Sequence, residues 1–405
     1  MNPKPTSKLF SGLTRNSFLL ALTSLFADIS TEMLYPVLPI FLTQTLKAGG
    51  GIVGIIEGIA ETTQNLVQGF SGWLSDKWQK HKRIAVTGYL LAAISKPLTG
   101  FAAGWPVVLG ARFMDRLGSG TRSAPRDALI ASSTDEKNRG KAFGLEGAGD
   151  NLGAFIGPLI AVVLIFSLGF SYRSVFFLSL IPGLLAVMMI LAIKERKAIV
   201  PSKIKLDFSF RQFTSTYKKY LMATALFGLG NSSNAFLILQ TNDLGISFKY
   251  TIFIYAAFNL IAALVSYPSG HLSDKLGRKN ILLLSFFIYL ITYLGFAFTK
   301  NLWFIGGLFC LYGIYQGIFR SVGKAMAADY VPKHLRASGI GWYATTVGLS
   351  GLLASIVAGQ LWDKVSHAAV FIYGGVFGLL GIIALIISVP GRRHLGSKEL
   401  KNTSL

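Results

Sequence analysis

Four carboxylates lie within long apolar stretches of the sequence, where acidic side chains are rare. Asp28 and Glu32 are four residues apart, and Glu57 and Glu61 have the same spacing. Residues four apart share one face of a helix. A carboxylate in a wet cavity of low dielectric binds a proton when it is desolvated and releases it when a cation approaches. The four are therefore candidate proton-coupling residues. In the alternative interpretation they form fixed ion pairs with basic neighbours, namely Lys96, Arg112 and Arg116.

Basic side chains recur in two apolar stretches that are 198 residues apart. Arg122 and Arg126 in the first half correspond to Arg320 and Lys324 in the second. Guanidinium groups bind carboxylates and phosphates in bidentate fashion, so these cations are candidates for binding an anionic substrate. Two other interpretations stay open, because the cations can also snorkel towards water or pair with nearby acids as a gate. The candidate gate partners are Asp127, Glu146 and Asp150.

The second half of the chain has neutral polar side chains where the first half has acids. Its two carboxylates near apolar stretches, Asp243 and Asp329, fall at predicted helix ends. Neutral hydrogen-bonding groups are expected to contact substrate there. The predicted substrate-binding residues are Arg122, Asn231, Asn234, Gln240, Tyr315, Arg320 and Lys324.

The elements that position these residues are predicted to be membrane helices. Apolar residues make up 52% of the 405 residues and charged residues 14%, a balance that leaves a soluble globule short of polar surface. Apolar blocks of about 20 residues, the length of one bilayer crossing, recur twelve times. Backbone groups in lipid must be hydrogen-bonded internally, which favours a helix bundle. We predict an all-α membrane protein with twelve transmembrane helices, numbered here as segments 1 to 12.

The net charge of +21 indicates membrane topology rather than nucleic-acid binding. Lys and Arg concentrate in alternate loops and in both tails, so the positive-inside rule places both termini in the cytoplasm. They are dispersed, without the aromatic residues that line nucleic-acid grooves. We expect a monomeric, multi-pass protein of the cytoplasmic (inner) membrane, whose partners are the lipid bilayer, a small-molecule substrate and protons, and not nucleic acid.

A polar hairpin occurs twice, with the same offset of 198 residues. The copies read GWLSDKWQKHK from residue 72 and GHLSDKLGRK from residue 270. They resemble the loop signature G-x-L-x-D-[RK]-x-G-[RK]-[RK] of the major facilitator superfamily of secondary transporters. The second copy matches in full, whereas the first has Gln79 in place of the family's second glycine, so the turn there must be made in another way.

The resemblance implies two pseudo-symmetric six-helix lobes that work by alternating access. We predict an N-terminal lobe over residues 1–193, a cytoplasmic linker over 194–218, and a C-terminal lobe with its tail over 219–405. By the same resemblance, Asp76 and Asp274 lock the cytoplasmic side, with Lys80 and Arg278 as partners. The predicted gating residues are Asp76, Lys80, Arg126, Glu146, Asp150, Asp274 and Arg278.

Segment 5 carries glycines at 144, 153 and 157, followed by Pro158, and resembles the antiporter motif of the superfamily. Ala161 and Val162 stand where that motif ends in two glycines. Glycines at such spacing let a neighbouring helix approach closely, and a proline is expected to add a hinge. The resemblance favours proton-coupled export of a small organic solute, amphipathic or anionic. The alternative is an importer or uniporter/exchanger of an organic anion that uses the paired cations of segments 4 and 10.

No cofactor is predicted. The five histidines fall in loops or at helix ends, and the single cysteine, Cys310, lies in an apolar block, so a haem or a His/Cys metal centre is not expected. The sequence lacks a G-x-x-x-x-G-K-[ST] loop, which favours an ion gradient over ATP as the driving force. Without a nucleophile and base inside the apolar segments, the chain is not expected to be an enzyme.

Overall fold

A computed structural model describes residues 13–78, 80–134, 139–195, 210, 213–331 and 336–389. Within these ranges the regular structure is helical and contains no strand. The helices, in chain order, are α1 (Arg15–Glu32), α2 (Val37–Ile40), α3 (Gly50–Trp78), α4 (His81–Gly100), α5 (Trp105–Ser133), α6 (Arg139–Val162), α7 (Tyr172–Leu178), α8 (Leu180–Leu191), α9 (Ser215–Gly230), α10 (Ala235–Asp243), α11 (Phe248–Leu276), α12 (Arg278–Phe298), α13 (Leu302–Asp329), α14 (Arg336–Lys364) and α15 (His367–Ser388).

These helices confirm the twelve predicted segments. Segments 1, 6 and 7 are each divided into two helices, and the other nine are single helices. Among the described residues, eight stretches are long and apolar enough to cross a membrane. The remaining four segments are α3, α4, α5 and α13, with 29, 20, 29 and 28 residues. All four are also long enough to cross a bilayer at about 1.5 Å per residue.

Segment 1 is broken at a pair of prolines. α1 ends at Glu32 and α2 begins at Val37, and Pro36 and Pro39 lack the N–H groups that would continue the helix. Segment 7 is broken as well, between Gly230 and Ala235, and we did not predict this break. It exposes backbone groups that need other hydrogen-bond partners.

The chain forms two compact units, which are described separately. The first comprises residues 1–35, 67–102 and 110–205, and the second comprises 36–66, 103–109 and 206–405. The second unit takes in the end of segment 1 and the start of segment 2, so the predicted lobe and linker boundaries stay a prediction.

In the first unit, glycines bring α6 directly against α1. A Cβ atom added at Gly153 would lie 2.6 Å from the carbonyl oxygen of Leu25, and one at Gly157 would lie 2.9 Å from the carbonyl oxygen of Ile29. Gly149 meets α1 in the same way, whereas Gly144, which the motif singled out, has no neighbour within 4 Å. The predicted close approach is therefore present, but Gly149 replaces Gly144. The predicted hinge does not end the helix, since α6 continues past Pro158 to Val162.

The core of the second unit is a stack of buried aromatic rings contributed by α9, α12 and α13. The rings of Phe227 and Phe286 stack at 3.7 Å between centroids, and Tyr289 and Tyr315 pack against Phe227. Aromatic pairs of this kind contribute about 0.5 to 1.5 kcal/mol each beyond the area they bury. Packing between buried aromatic rings therefore contributes to the stability of the second unit.

α3 packs against α14 within the second unit. Glycine allows this contact, since a Cβ at Gly58 would lie 2.8 Å from the Leu352 side chain. Asp363 accepts hydrogen bonds from the backbone N–H groups of Gly50 and Gly51, both at 2.7 Å, and so caps the first turn of α3.

The two hairpins have matching roles. Gly277 adopts φ +92°, a conformation that favours glycine, and the corresponding Gln79 lies outside the described residues. Lys82 Nζ donates to the carbonyl oxygens of Leu191 and Ile193, both at 2.7 Å, at the end of α8. Lys279 Nζ donates to Ile386 and Val389 at the end of α15. Each hairpin therefore caps the last helix of its half, as a duplicated fold requires.

Candidate functional site

A buried ion network joins α1, α5 and α6 in the first unit. Arg126 Nη1 lies 2.7 Å from Glu146 Oε1 and 3.8 Å from Asp150 Oδ1, and Arg126 Nη2 lies 3.1 Å from Asp127 Oδ1. Glu146 is only 7% exposed, and Ser24 Oγ donates to its carboxylate at 2.6 Å. The structure thus brings together three residues that the sequence assigned to gating, Arg126, Glu146 and Asp150.

Asp28 lies beside Arg122 in the same unit. Arg122 Nη2 is 3.7 Å from Asp28 Oδ1, and the guanidinium carbon lies 4.5 Å from the ring centroid of Tyr89. Arg122 is 8% exposed, and in the described part of the chain its Nε and Nη1 atoms have no hydrogen-bond partner. A predicted proton-coupling acid and a predicted substrate-binding cation are therefore neighbours, which the sequence did not indicate.

The other cations of this unit converge on a residue that sequence reasoning missed. Arg112 Nη1 lies 3.2 Å from Asp115 Oδ2, and Lys96 Nζ lies 3.7 Å from Asp115 Oδ1. Arg116 Nε is also 3.7 Å from Asp115. The spacing of Arg112, Asp115 and Arg116 within one helix was the signal for this cluster. The predicted alternative, in which these cations pair with the acids of segments 1 and 2, does not hold for Asp28, whose partner is Arg122.

The remaining predicted proton-coupling acids fall in both units. Glu32 is half-buried on α1 of the first unit. Glu57 is 2% exposed and Glu61 is half-buried, and both lie on the part of α3 that belongs to the second unit. The two predicted acid pairs therefore belong to different compact units.

Polar side chains supply hydrogen-bond partners at the break in segment 7. Tyr289 donates its hydroxyl to the carbonyl oxygen of Gly230 at 2.7 Å, and Tyr312 donates to Asn234 Oδ1 at 2.8 Å. The N–H of Ser233 donates to Ser355 Oγ at 3.1 Å. These contacts hold an irregular backbone inside the aromatic core, and the role of Asn234 in substrate binding stays a prediction.

Other polar atoms near this break are buried without a partner in the described part of the chain. Three belong to predicted substrate-binding residues, Asn231 Oδ1, Gln240 Oε1 and Tyr315 OH. Two more are Asn259 Nδ2 on α11 and Gln316 Oε1 on α13. A buried polar atom without a partner costs free energy, so such atoms are candidates for contacting a ligand. In the sequence, these residues could be recognised as polar side chains at helical spacing within apolar segments.

The cations of segments 4 and 10 have different surroundings. Arg122 is buried and Arg126 is half-buried, whereas Arg320 and Lys324 are exposed on α13 of the second unit. Their matching positions in the sequence therefore do not give matching environments.

The predicted gate at the hairpins is described only in part. The side chains of Asp76 and Asp274 lie outside the described residues. Lys80 is exposed, and Arg278 Nε lies 2.7 Å from Asp329 Oδ2 at the end of α13. The roles assigned to these residues stay predictions.

Twelve membrane-length segments with buried ions and unpartnered polar groups define a membrane transporter, because such groups inside a membrane mark ion and solute pathways. The sequence profile of the Major Facilitator Superfamily matches residues 20–221 and 220–404. An MFS-type transporter of Methanocaldococcus jannaschii is 34% identical over 384 residues, covering 93% of this chain and 95% of the relative.

Two further comparisons agree. A probable 4-methylmuconolactone transporter of Cupriavidus pinatubonensis is 26% identical over 341 residues, covering 78% of this chain and 77% of the relative. The crystal structure of the nucleoside transporter NupG has the same fold, with a TM-score of 0.72 at 14% identity over 92% of this chain and 100% of that one. The chain belongs to the Major Facilitator Superfamily. It is a multi-pass membrane transporter and not an enzyme.

Proposed function

We propose that this transporter exports a small organic solute, amphipathic or anionic, in exchange for protons. The observation that carries the proposal is the contact between Asp28 and Arg122, a buried guanidinium facing a carboxyl group inside a membrane helix bundle. A proton on Asp28 and an anionic group at Arg122 both change the charge of the same small volume. Binding of one therefore affects binding of the other.

The sequence of events follows from this electrostatic coupling. Exchange requires that the proton and the solute occupy the site in turn. An ionised Asp28 accepts hydrogen bonds from hydroxyl or amide groups of a solute, and a proton on Asp28 reduces that capacity, so proton binding favours release of the solute. An anionic group at Arg122 instead binds together with a proton on Asp28, which is the mode of the rival described below. Glu32, on the same helix, is the second candidate acid for coupling, and Glu57 and Glu61 are further candidates.

The second unit has candidate substrate contacts of its own. Asn231, Gln240 and Tyr315 each present a buried polar atom without a partner in the described part of the chain. Such groups recognise hydroxyl, carbonyl or amide functions without adding charge. Arg320 and Lys324 are exposed cations of the same unit and are assigned to the anionic group. A small organic solute agrees with the name of the Cupriavidus relative.

The arrangement in the membrane is part of the proposal. The protein acts as a monomer in the cytoplasmic (inner) membrane with both termini in the cytoplasm, since Lys and Arg concentrate in the loops on that side. The lobes over 1–193 and 219–405 alternate access, and the hairpin residues Asp76, Lys80, Asp274 and Arg278 close the cytoplasmic side together with Arg126, Glu146 and Asp150.

The test begins with a thermal-shift screen of the purified protein against small organic acids and lactones, including 4-methylmuconolactone, since a binder stabilises the folded state by mass action. The compound with the largest shift is then radiolabelled and followed in proteoliposomes under proton gradients of either sign. Asp28→Asn or Glu32→Gln is expected to abolish coupled transport without loss of the fold. Full coupled transport in both variants would contradict the assignment of these acids.

The same measurement separates export from its rival. The rival is an importer or uniporter/exchanger of an organic anion, favoured by the unpartnered nitrogens of Arg122. An exporter moves solute against the direction of the proton flow. Solute movement in the direction of the proton flow, or indifferent to it, would establish the rival instead.

A further inference from the structure

The seam between α1 and α6 places two carboxyl groups together. Gly153 lies directly against Asp28, since a Cβ atom added at Gly153 would be 2.8 Å from Asp28 Cβ. Asp150 precedes Gly153 by one turn of α6, and its carboxyl group interacts with that of Asp28 both by charge and as a side-chain hydrogen-bond partner. The absence of side chains at the glycines is what permits this approach.

Two carboxylates at hydrogen-bonding distance inside a membrane do not both ionise, because their repulsion is poorly screened there. One proton between them replaces that repulsion with a hydrogen bond. Aspartic proteases hold a proton between paired carboxyl groups for the same reason.

The distances to the neighbouring arginines support a shared proton. Arg126 approaches Glu146 at 2.7 Å and Asp127 at 3.1 Å, as ionised partners do, but Asp150 only at 3.8 Å. Arg122 approaches Asp28 only at 3.7 Å, although its Nε and Nη1 have no partner in the described residues and it is 8% exposed. A fully ionised Asp28 would draw this guanidinium into a close bidentate contact.

The charges around the two carboxyl groups also favour one shared proton. Four carboxyl groups, on Asp28, Asp127, Glu146 and Asp150, surround the two guanidinium groups of Arg122 and Arg126. The charges of Glu32, on the same helix, and of Lys96, on α4, also interact with the carboxyl group of Asp28. One bound proton reduces the negative excess of the four acids without disturbing either arginine.

We propose that Asp28 and Asp150 form one proton-binding site across the α1–α6 seam, with a single proton held between them. This proposal rests on the proton coupling proposed above and specifies where the proton is held. It moves Asp150 from the gate to the coupling site. Arg122 and Arg126 flank the pair. Movement of α6 away from α1 separates the carboxyl groups and releases the proton.

The test measures the proton directly, on the purified full-length protein and without a substrate. Infrared spectra at neutral pH report the carbonyl stretch of protonated carboxylic acids. Asp28→Asn and Asp150→Asn are each expected to remove the same one-carboxyl share of this band, because the acid left behind ionises beside its arginine. The double variant is expected to remove no more than either single variant, which is the mark of a jointly held proton.

Asp127→Asn is the matched control. Asp127 is as exposed as Asp150, with 44% against 43% of its side chain accessible, and it also pairs with Arg126. Its replacement is expected to leave the band unchanged. An unchanged band in Asp150→Asn, or a double variant that loses twice as much as either single variant, would overturn the proposal.

A further variant and a transport assay complete the infrared test. If an Asn variant is not recovered folded, Asp150→Glu keeps both carboxyl groups but lengthens one side chain, so the band must shift in frequency; an unshifted band contradicts the pair. Transport assays on the same preparations distinguish a failure of the proposed function from a failure of the shared proton site. Wild-type transport that ignores a proton gradient overturns the proposed function, whereas proton-coupled wild-type transport with an intact band in Asp150→Asn overturns only the shared site.

Discussion

The two compact units carry related helices but stabilise them by opposite means. In the first unit, ion pairs join helices, as in the contacts of Arg126 with Glu146 and of Lys96 with Asp115. In the second, aromatic rings pack around Tyr289 and Phe227, and the buried polar atoms that have no partner among the described residues are neutral. Under the proposed function this difference is a division of labour, in which the first unit carries most of the charge coupling and the second most of the recognition of neutral groups.

The largest expected effect tests the ionic half against the aromatic half. Arg126 and Arg278 each lie 2.7 Å from a carboxylate, but the first pair is buried and the second is not, with 27% and 49% of its two side chains exposed. Arg126→Met leaves Glu146 buried and unpaired and is expected to cost about 3 to 5 kcal/mol. Arg278→Met should cost below about 1 kcal/mol. Melting temperatures in detergent measure both, and equal losses would remove the contrast.

The next effect concerns the seam that the ionic half depends on. Gly153→Ala inserts a Cβ 2.6 Å from the Leu25 carbonyl oxygen, so α1 and α6 must separate, at a cost of about 1 to 3 kcal/mol. Gly144→Ala meets no atom within 4 Å and is the control. It should leave the melting temperature unchanged or raise it, since alanine favours the helix. A tolerated Gly153→Ala would contradict the close packing of the two helices.

A tyrosine comparison sharpens the description of the aromatic half. Tyr289→Phe removes one of the two hydrogen bonds that the Gly230 carbonyl oxygen accepts at the break in segment 7, the other coming from the N–H of Ser232 at 3.0 Å, and it is expected to cost about 0.5 to 1.5 kcal/mol. The hydroxyl of Tyr315 has no partner among the described residues, so Tyr315→Phe should leave stability unchanged. With the best compound from the thermal screen, however, Tyr315→Phe should show a reduced ligand-induced shift. The reverse pattern would exchange the structural and binding roles of the two residues.

The smallest expected effect concerns a contact that both units have, between a hairpin lysine and the carbonyl oxygens at a helix end. Lys82→Met and Lys279→Met each remove an ammonium group from the carbonyl oxygens at the end of a helix, and each should cost about 0.3 to 1 kcal/mol. The two losses of melting temperature should agree within error. A large inequality would mean that the duplicated hairpins no longer have the same structural role.

The sequence was sufficient for features that depend on local patterns. Apolar length gave the twelve segments, and two prolines gave the break after Glu32. Glu146 and Asp150 were placed near Arg126 because four-residue spacing and depth already aligned them. The break in segment 7 also had a local signal, in the run GLGNSSN from residue 228, whose residues favour turns over helix.

Other features depend on which helices become neighbours, and spacing within one helix does not contain that information. The partnership of Asp28 with Arg122 and the donation from Tyr312 to Asn234 join residues far apart in sequence. Environment is equally non-local, as shown by Arg122, which is buried, and Arg320, which is exposed at the matching position.

The most direct test of the division of labour compares two modes of transport in Asp28→Asn. Proteoliposomes containing the variant are assayed with the best compound from the thermal screen, once by exchange between equal pools and once by uptake driven by a proton gradient. Exchange needs no net proton movement, so we predict that exchange persists while gradient-driven accumulation is lost. Accumulation at the wild-type level in this variant would contradict the claim that the first unit couples transport to protons.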